Sequence, residues 1–130
     1  MNAWKMVKRG AGFTLIELLV VMSIIALLLA LAVPRYFQSV TRAKEAVLRE
    51  NLMLIRDALD KHYADIGTYP ATIEALVAKK YLRKLPEDPV TESASSWIII
   101  PPESPEKGGV FDVKSGAPGH SLAGEAYSAW

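Results

Sequence analysis

The feature that most constrains the fold is an apolar run of 21 residues, Phe13 to Val33, in which Glu17 is the only charged residue. As a helix, a run of this length covers roughly 30 Å, about the thickness of the hydrocarbon core of a bilayer. A carboxylate inside such a segment costs ~2.5–3.5 kcal/mol on insertion scales, so it needs a partner or a purpose. The run therefore predicts a membrane-spanning helix in which Glu17 has a role other than membrane anchoring.

The residues before this run distinguish it from an ordinary signal sequence. Lys5, Lys8 and Arg9 are followed by three small residues, 10–12, and only then by the apolar run. A secretory signal has an apolar region of ~7–15 residues with its small-residue cleavage site after it, which is the opposite order. A membrane anchor that is never processed explains the length of the run but neither Glu17 nor the junction between residues 12 and 13. The basic leader favours a cytoplasmic N-terminus and an outward-facing C-terminal domain.

The string Gly12-Phe13-Thr14-Leu15-Ile16-Glu17 resembles the processing and methylation motif of type IV pilins and type II secretion pseudopilins. The resemblance implies that a prepilin peptidase cuts between Gly12 and Phe13 and methylates the new amino group of Phe13. It also implies that Glu17, fifth after the cut, serves filament assembly. Pro34, twenty-second after the cut, fits the family as well, and its missing N–H predicts a bend in the helix.

Composition excludes several classes of protein. The chain has 130 residues, enough for one small domain besides the membrane segment. The leader holds three of the fifteen Lys and Arg and none of the fourteen acids, so its removal would leave a net charge of −2. Such a charge does not favour nucleic-acid binding, which needs a strongly basic face. The absence of cysteine excludes a disulfide and separates the chain from many type IV pilins, which close a C-terminal loop with one.

Helical periodicity continues after the apolar run, but on one face only. The pattern predicts a helix that ends near Asp65, before Gly67. Opposite charges four residues apart predict ion pairs on a solvated face, at Glu45/Arg49, Arg56/Asp60 and Asp57/Lys61. Apolar residues at spacings near three, four or seven predict a buried stripe, formed by Val40, Leu48, Leu52, Ile55, Leu59 and Ile66.

The middle of the chain carries a second, looser resemblance. A short amphipathic helix is predicted over Thr72 to Lys80, followed by a loop that prolines fix. The order of the residues is similar to that of major pseudopilins, which favours the secretion system over other pili. The residues are Tyr69-Pro70, Leu76, Tyr81-Leu82, Leu85-Pro86 and Asp88-Pro89.

Two β-branched or aromatic runs, Trp97 to Ile100 and Val110 to Val113, predict short antiparallel strands joined by a long connection. The tail from Ser115 would be ordered through Tyr127 and Trp130. The predicted fold is α+β and type IV pilin-like: a long N-terminal helix, half transmembrane and half amphipathic, packed on a small antiparallel β-sheet.

Catalytic and metal sites have little support in the sequence. His62, expected to be a partly exposed structural residue, and His120 are the only histidines, and they form no recognisable catalytic set. The chain is therefore predicted not to be an enzyme. Major pseudopilins often bind calcium in the C-terminal loop, and the resemblance names Asp112, Ser115 and Glu125 as candidate ligands. Calcium takes ~6–8 oxygen ligands, but the loop at 116–119 reads Gly-Ala-Pro-Gly where related sequences tend to have Gly-Ala-Asp-Gly, so an acidic ligand is missing. The prediction is therefore that the chain has no cofactor, and calcium is the less favoured alternative.

The resemblance divides the chain into a leader, 1–12, a transmembrane and filament-core helix, 13–33, and a periplasmic pilin-like domain, 34–130. It implies a single-pass inner-membrane protein with a cytoplasmic N-terminus, which polymerises into a helical pseudopilus that supports protein export. The implied partners are copies of itself, minor pseudopilins, the prepilin peptidase, the inner-membrane assembly platform and membrane lipid, but not nucleic acid. The alternative is a type IV pilin for adhesion, motility or DNA uptake.

Overall fold

The computed structural model describes residues 12–130, so residues 1–11 of the predicted leader lie outside the described residues. The chain falls into two compact units that divide between Gln38 and Ser39. The predicted boundary between the membrane helix and the periplasmic domain, at residue 34, stays a prediction.

The dominant element is helix α1, Leu15–Ile66, which has 52 residues. Its end follows from Gly67, whose φ of +87° is the left-handed conformation that closes a helix and that glycine adopts without strain. The N–H of Gly67 donates to the carbonyl of Tyr63 at 2.8 Å. The predicted end of the helix is confirmed. Pro34 lies inside α1, and the predicted bend there stays a prediction.

In the first unit the side chains of α1 lie on the surface rather than in a protein core. Residues 13–38 are all exposed. By length and composition, α1 contains one stretch that is able to cross a membrane. Because a helix satisfies its main-chain hydrogen bonds internally, apolar side chains around its whole circumference suit a lipid surround.

In the second unit one face of α1 forms the core. Leu48, Leu52, Ile55 and Leu59 are buried, as the periodicity predicts. The prediction was wrong for the two ends of the stripe, Val40 and Ile66, which are exposed because the buried residues of α1 extend only from Leu48 to His62. The other buried apolar members of the core are Ala58, Ile73, Leu76, Trp97, Val110, Val113, Ala117 and Tyr127.

Strands β1, Ile98–Ile100, and β2, Asp112–Lys114, form a two-stranded antiparallel sheet in which Ile99 pairs with Val113. The predicted bounds of the second strand were wrong, because the N–H of Val110 donates to the carbonyl of Pro70 at 3.0 Å instead of joining the sheet. A two-stranded sheet is marginal alone, and it becomes stable here because Val113 is buried in the core with α1.

The connection between α1 and β1 contains one short helix, α2, Glu74–Ala78, which is shorter than predicted. The residue before it, Ile73, is the N-cap and makes no side-chain hydrogen bond to the helix. The helix stops before Lys80, whose φ is +66°. The start of this connection contacts the loop between the strands, where the N–H of Tyr69 donates to the carbonyl of Lys107 at 2.6 Å. Gly108 has a φ of +121° and lies so close to the carbonyl of Tyr69 that a β-carbon would overlap it.

These elements confirm the α+β, type IV pilin-like fold: a long N-terminal helix with a small antiparallel sheet packed on its second part.

The core predicts a contrast between two leucines of the same helix. Leu52→Ala should lower the free energy of unfolding by about 2–5 kcal/mol, because a fully buried leucine leaves a cavity. Leu54→Ala should cost less than about 1 kcal/mol, since Leu54 is 47% exposed. Urea unfolding of the full chain in detergent micelles, followed by circular dichroism, measures both. Equal losses at the two positions would contradict the assigned core.

Candidate functional site

The first candidate site is the junction between Gly12 and Phe13. Gly12 has a φ of +110°, which a residue with a side chain rarely adopts. Phe13 is 83% exposed. The main chain at this junction is therefore open to a large partner, and its conformation favours glycine on the N-terminal side of the bond.

Glu17 and Thr14 bond to each other at the start of α1. The N–H of Glu17 donates to Thr14 Oγ1 at 3.2 Å, and the N–H of Thr14 donates to Glu17 Oε2 at 3.4 Å. This reciprocal pair is a capping box, which satisfies main-chain donors that the first turn of a helix leaves free. In the uncleaved chain the carboxylate of Glu17 thus turns back toward Thr14, the second residue after the predicted cut.

The second candidate site is the C-terminal loop, and the structure does not bring its three candidate metal ligands together. Asp112 Oδ1 accepts a hydrogen bond from Arg56 Nε at 2.8 Å. Ser115 is fully buried and donates its hydroxyl to Asp88 at 2.6 Å. Glu125 is exposed. Across residues 12–130, no group of three acidic, histidine or cysteine side chains is placed to hold a metal ion. The three candidate ligands, as the structure places them, therefore do not face a common ion.

Asp88 is a buried carboxylate, a position that its place in the resemblance at Asp88-Pro89 does not predict. It is 0% exposed, and its Oδ1 accepts the N–H groups of Val90 at 2.9 Å and Thr91 at 3.3 Å. Together with the hydroxyl of Ser115 these donors satisfy the charge, as a buried carboxylate requires. The Asp-Pro pair at 88–89, a common start of a turn, is the sequence signal that could have indicated this role.

Arg56 is the functional residue that sequence reasoning missed most clearly. The predicted ion pair with Asp60 is wrong, because the guanidinium points instead at β2 and at the end of the tail. Besides Asp112, it donates through Nη2 to the main-chain oxygens of Val113 at 3.1 Å and Trp130 at 2.6 Å. A planar, permanently charged group with several donors suits such a cluster of oxygens.

The tail also contacts α1 through Glu45 and Arg49, so their predicted ion pair is wrong as well. Glu45 Oε1 accepts the hydroxyl of Tyr127 at 3.0 Å and the N–H of Leu122 at 2.8 Å. Arg49 lies over the ring of Trp130, 3.9 Å from its centre. The predicted anchoring of the tail by its two aromatic residues is confirmed.

Of the three predicted ion pairs, Asp57 and Lys61 form theirs, at 2.9 Å. Both side chains are well exposed, so this pair adds little to stability.

The prediction that His62 is partly exposed was wrong, since it is 1% exposed. Its Nδ1 lies 2.6 Å from the carbonyl of Thr68, so this nitrogen carries the proton, and Nε2 lies 3.2 Å from Lys79 Nζ. His62 follows Leu59 by three residues on the buried face of α1, a spacing that could have indicated its place.

Comparison with known proteins gives consistent results. A family model described as the prokaryotic N-terminal methylation motif matches residues 7–33. The chain is 38% identical over 98 residues to type II secretion system core protein G of Pseudomonas aeruginosa, a match that covers 63% of this chain and 69% of that protein. It is 31% identical over 127 residues to the protein of the same name from Klebsiella pneumoniae, with 85% and 86% covered. No solved structure matches the chain at a significant level.

The contact between Tyr127 and Glu45 predicts a pH dependence. Burial raises the pKa of Tyr127 above its ordinary value of 10.0, and the hydrogen bond to Glu45 raises this pKa further. The folded chain thus keeps a proton that the unfolded chain loses above pH ~10, so this part of the stability is present below that pH and is lost as the pH rises through the raised pKa.

Glu45→Gln should therefore lower the pKa of Tyr127 only in part, because burial is the larger cause. Alkaline titration of tyrosinate absorbance measures this pKa. The chain has five tyrosines, so the titration curve of Tyr127→Phe is subtracted to isolate the contribution of Tyr127. An unchanged curve in Glu45→Gln would show that the contact does not act on this group.

Proposed function

The chain belongs to the family of type II secretion system core protein G, the major pseudopilins, and from that membership we propose that it is a structural subunit of a type II secretion pseudopilus. The observation that carries the proposal is the joint occurrence of a prepilin methylation motif at 7–33 and relatives that share most of the chain. An apolar helix and this motif make it a membrane-anchored protein of the secretion system. Its role is structural rather than enzymatic.

Processing is the first step of the proposed function. A prepilin peptidase cuts between Gly12 and Phe13 and methylates the new amino group, which removes residues 1–12. The exposure of Phe13 and the glycine conformation on the other side of the bond support this assignment.

Glu17 links processing to assembly. Before the cut, the partner of its carboxylate is the neutral N–H of Thr14. After the cut, the amino group of Phe13 on another copy offers an opposite charge, and in a low-dielectric surround that attraction is far stronger than in water. Cleavage thus creates a better partner for Glu17, and the pair favours the filament over the isolated subunit in the membrane.

The exposed apolar surface of residues 13–33 has a role both in the membrane-inserted subunit and in the assembled filament. In the bilayer it contacts lipid, and in the filament it contacts the same segment of other copies. Since lipid tails are as apolar as leucine side chains, association depends on close packing rather than on hydrophobic transfer. Pro34 lacks an N–H and allows α1 to bend or unwind locally as copies pack.

The proposed topology is single-pass in the inner membrane, with residues 1–12 in the cytoplasm and the domain 34–130 in the periplasm. The basic leader supports this orientation. The proposed partners are copies of the chain, minor pseudopilins, the prepilin peptidase and the inner-membrane assembly platform.

Replacement of Gly12 tests the cut. Gly12→Val should leave only the uncut precursor, because the branched side chain blocks the junction and strains a φ of +110°. Intact-mass spectrometry of the membrane-extracted chain measures the outcome. Gly10→Val, the same exchange two residues earlier, is the control and should still be cut. Normal processing of Gly12→Val would refute the assigned site.

Replacement of Glu17 tests assembly. Glu17→Val should insert and be processed normally, yet form filaments at least about tenfold more slowly, because the charged partner is lost. Filament yield by electron microscopy and export of a secreted protein are the two readouts. Ser23→Val is the matched control, since Ser23 donates its hydroxyl to the carbonyl of Leu19 in its own helix. Normal filament yield in Glu17→Val would disprove the charge-partner mechanism.

A further inference from the structure

Three oxygen atoms from distant parts of the domain meet at one side chain. They are Asp112 Oδ1 and the main-chain oxygens of Val113 and Trp130, and Arg56 donates to all of them at 2.6–3.1 Å. Lys114 Nζ adds a second positive charge, 3.3 Å from the same oxygen of Trp130. The cluster therefore joins α1, β2 and the end of the tail through cations that belong to the chain itself.

Carboxylate and carbonyl oxygens are also the ligands that calcium takes, and calcium needs ~6–8 of them. Here the guanidinium already bonds to Asp112 Oδ1 and to two main-chain oxygens beside it, so these three atoms are not free to bind an ion. Ser115 cannot turn its hydroxyl toward such an ion without removing the donor that Asp88 Oδ2 has in the core. A divalent cation at this point would also lie beside Arg56 and Lys114, which repel it. The calcium site implied by the family thus does not fit this chain.

We propose that Arg56 takes the place of a bound cation: it closes the C-terminal segment, residues 112–130, onto α1, and the domain reaches its full stability without calcium. The guanidinium is only partly exposed, with 34% of its side-chain surface accessible, and Asp112 has 26%. A charge-assisted contact in such a setting is shielded from water more than one on an open surface.

The neighbouring contacts explain why one side chain can control the whole segment. The ring of Trp130 packs on Arg49, and Tyr127 packs edge-on against Trp130 at 5.2 Å while it donates to Glu45. Each of these contacts requires the end of the tail to lie on α1, where Arg56 holds it. Loss of Arg56 should therefore loosen the segment as a unit.

Hydrogen exchange of the full chain in detergent micelles, followed by mass spectrometry, tests the arginine. Arg56→Gln should speed exchange in residues 112–130 at least about tenfold, while the core of α1 stays protected. Arg42→Gln is the matched control, since Arg42 is exposed on the same helix. Unchanged exchange in Arg56→Gln would overturn the proposal.

A second variant covers the case in which Arg56→Gln does not fold. Asp112→Asn keeps the shape of the side chain and removes only its charge, so it should give a smaller acceleration in the same segment. Unchanged exchange in Asp112→Asn would contradict the proposal. Where Arg56→Gln does fold, the two effects should be less than additive in the double variant, because the residues contact each other. Full additivity would show that the pair does not act together.

A separate measurement tests whether the domain reaches its full stability without calcium. The melting temperature and the exchange of the unmodified chain should be equal in millimolar calcium, in millimolar magnesium and in chelator. A rise in melting temperature specific to calcium, or slower exchange of residues 112–130 in calcium alone, would overturn the proposal. Neither experiment depends on secretion, so both are independent of the proposed function.

Discussion

The second unit of the chain depends on the burial of one face of α1, from Leu48 to His62. Every later element is too small to be stable alone: α2 has five residues and each strand has three. A short helix or a two-stranded sheet of this size forms only when it packs on a larger apolar surface. Because the chain has no cysteine, no disulfide can replace that surface. The helix therefore acts as the template on which loops, sheet and tail acquire a fixed structure.

The sequence predicts this helix well because the signals are local. The apolar run, the stripe at spacings of three and four and the glycine at 67 all lie within the element they define. The strands are less predictable, since β2 begins at Asp112 only because the main chain at Val110 bonds to Pro70, forty residues earlier. His62 differs again: a histidine is often partly exposed, but here its position on the buried face of α1, three residues after Leu59, determines its burial.

The two candidate sites also differ in whether their residues are close together in the sequence. The junction at Gly12 and Phe13 is recognisable because the whole motif occupies six consecutive residues. The C-terminal loop is not, because its decisive partner lies 56 residues before Asp112. The rule that opposite charges pair four residues apart assigns Arg56 to Asp60, but the fold brings one carboxylate and two main-chain oxygens to the guanidinium. A fixed group of acceptors is favoured over one exposed carboxylate on the same helix.

The contacts between the tail and α1 set an order for the formation of the domain. Glu45 meets Leu122 and Tyr127, which follow it by 77 and 82 residues. Since a chain is synthesised from its N-terminus, α1 is present long before the residues that cover its charged positions. Contacts of such long range form late, because the loop they close carries the largest entropy cost. The polar face of α1 between Glu45 and Arg56 thus stays open to water until residues 122–130 have been synthesised, and the domain closes only after that.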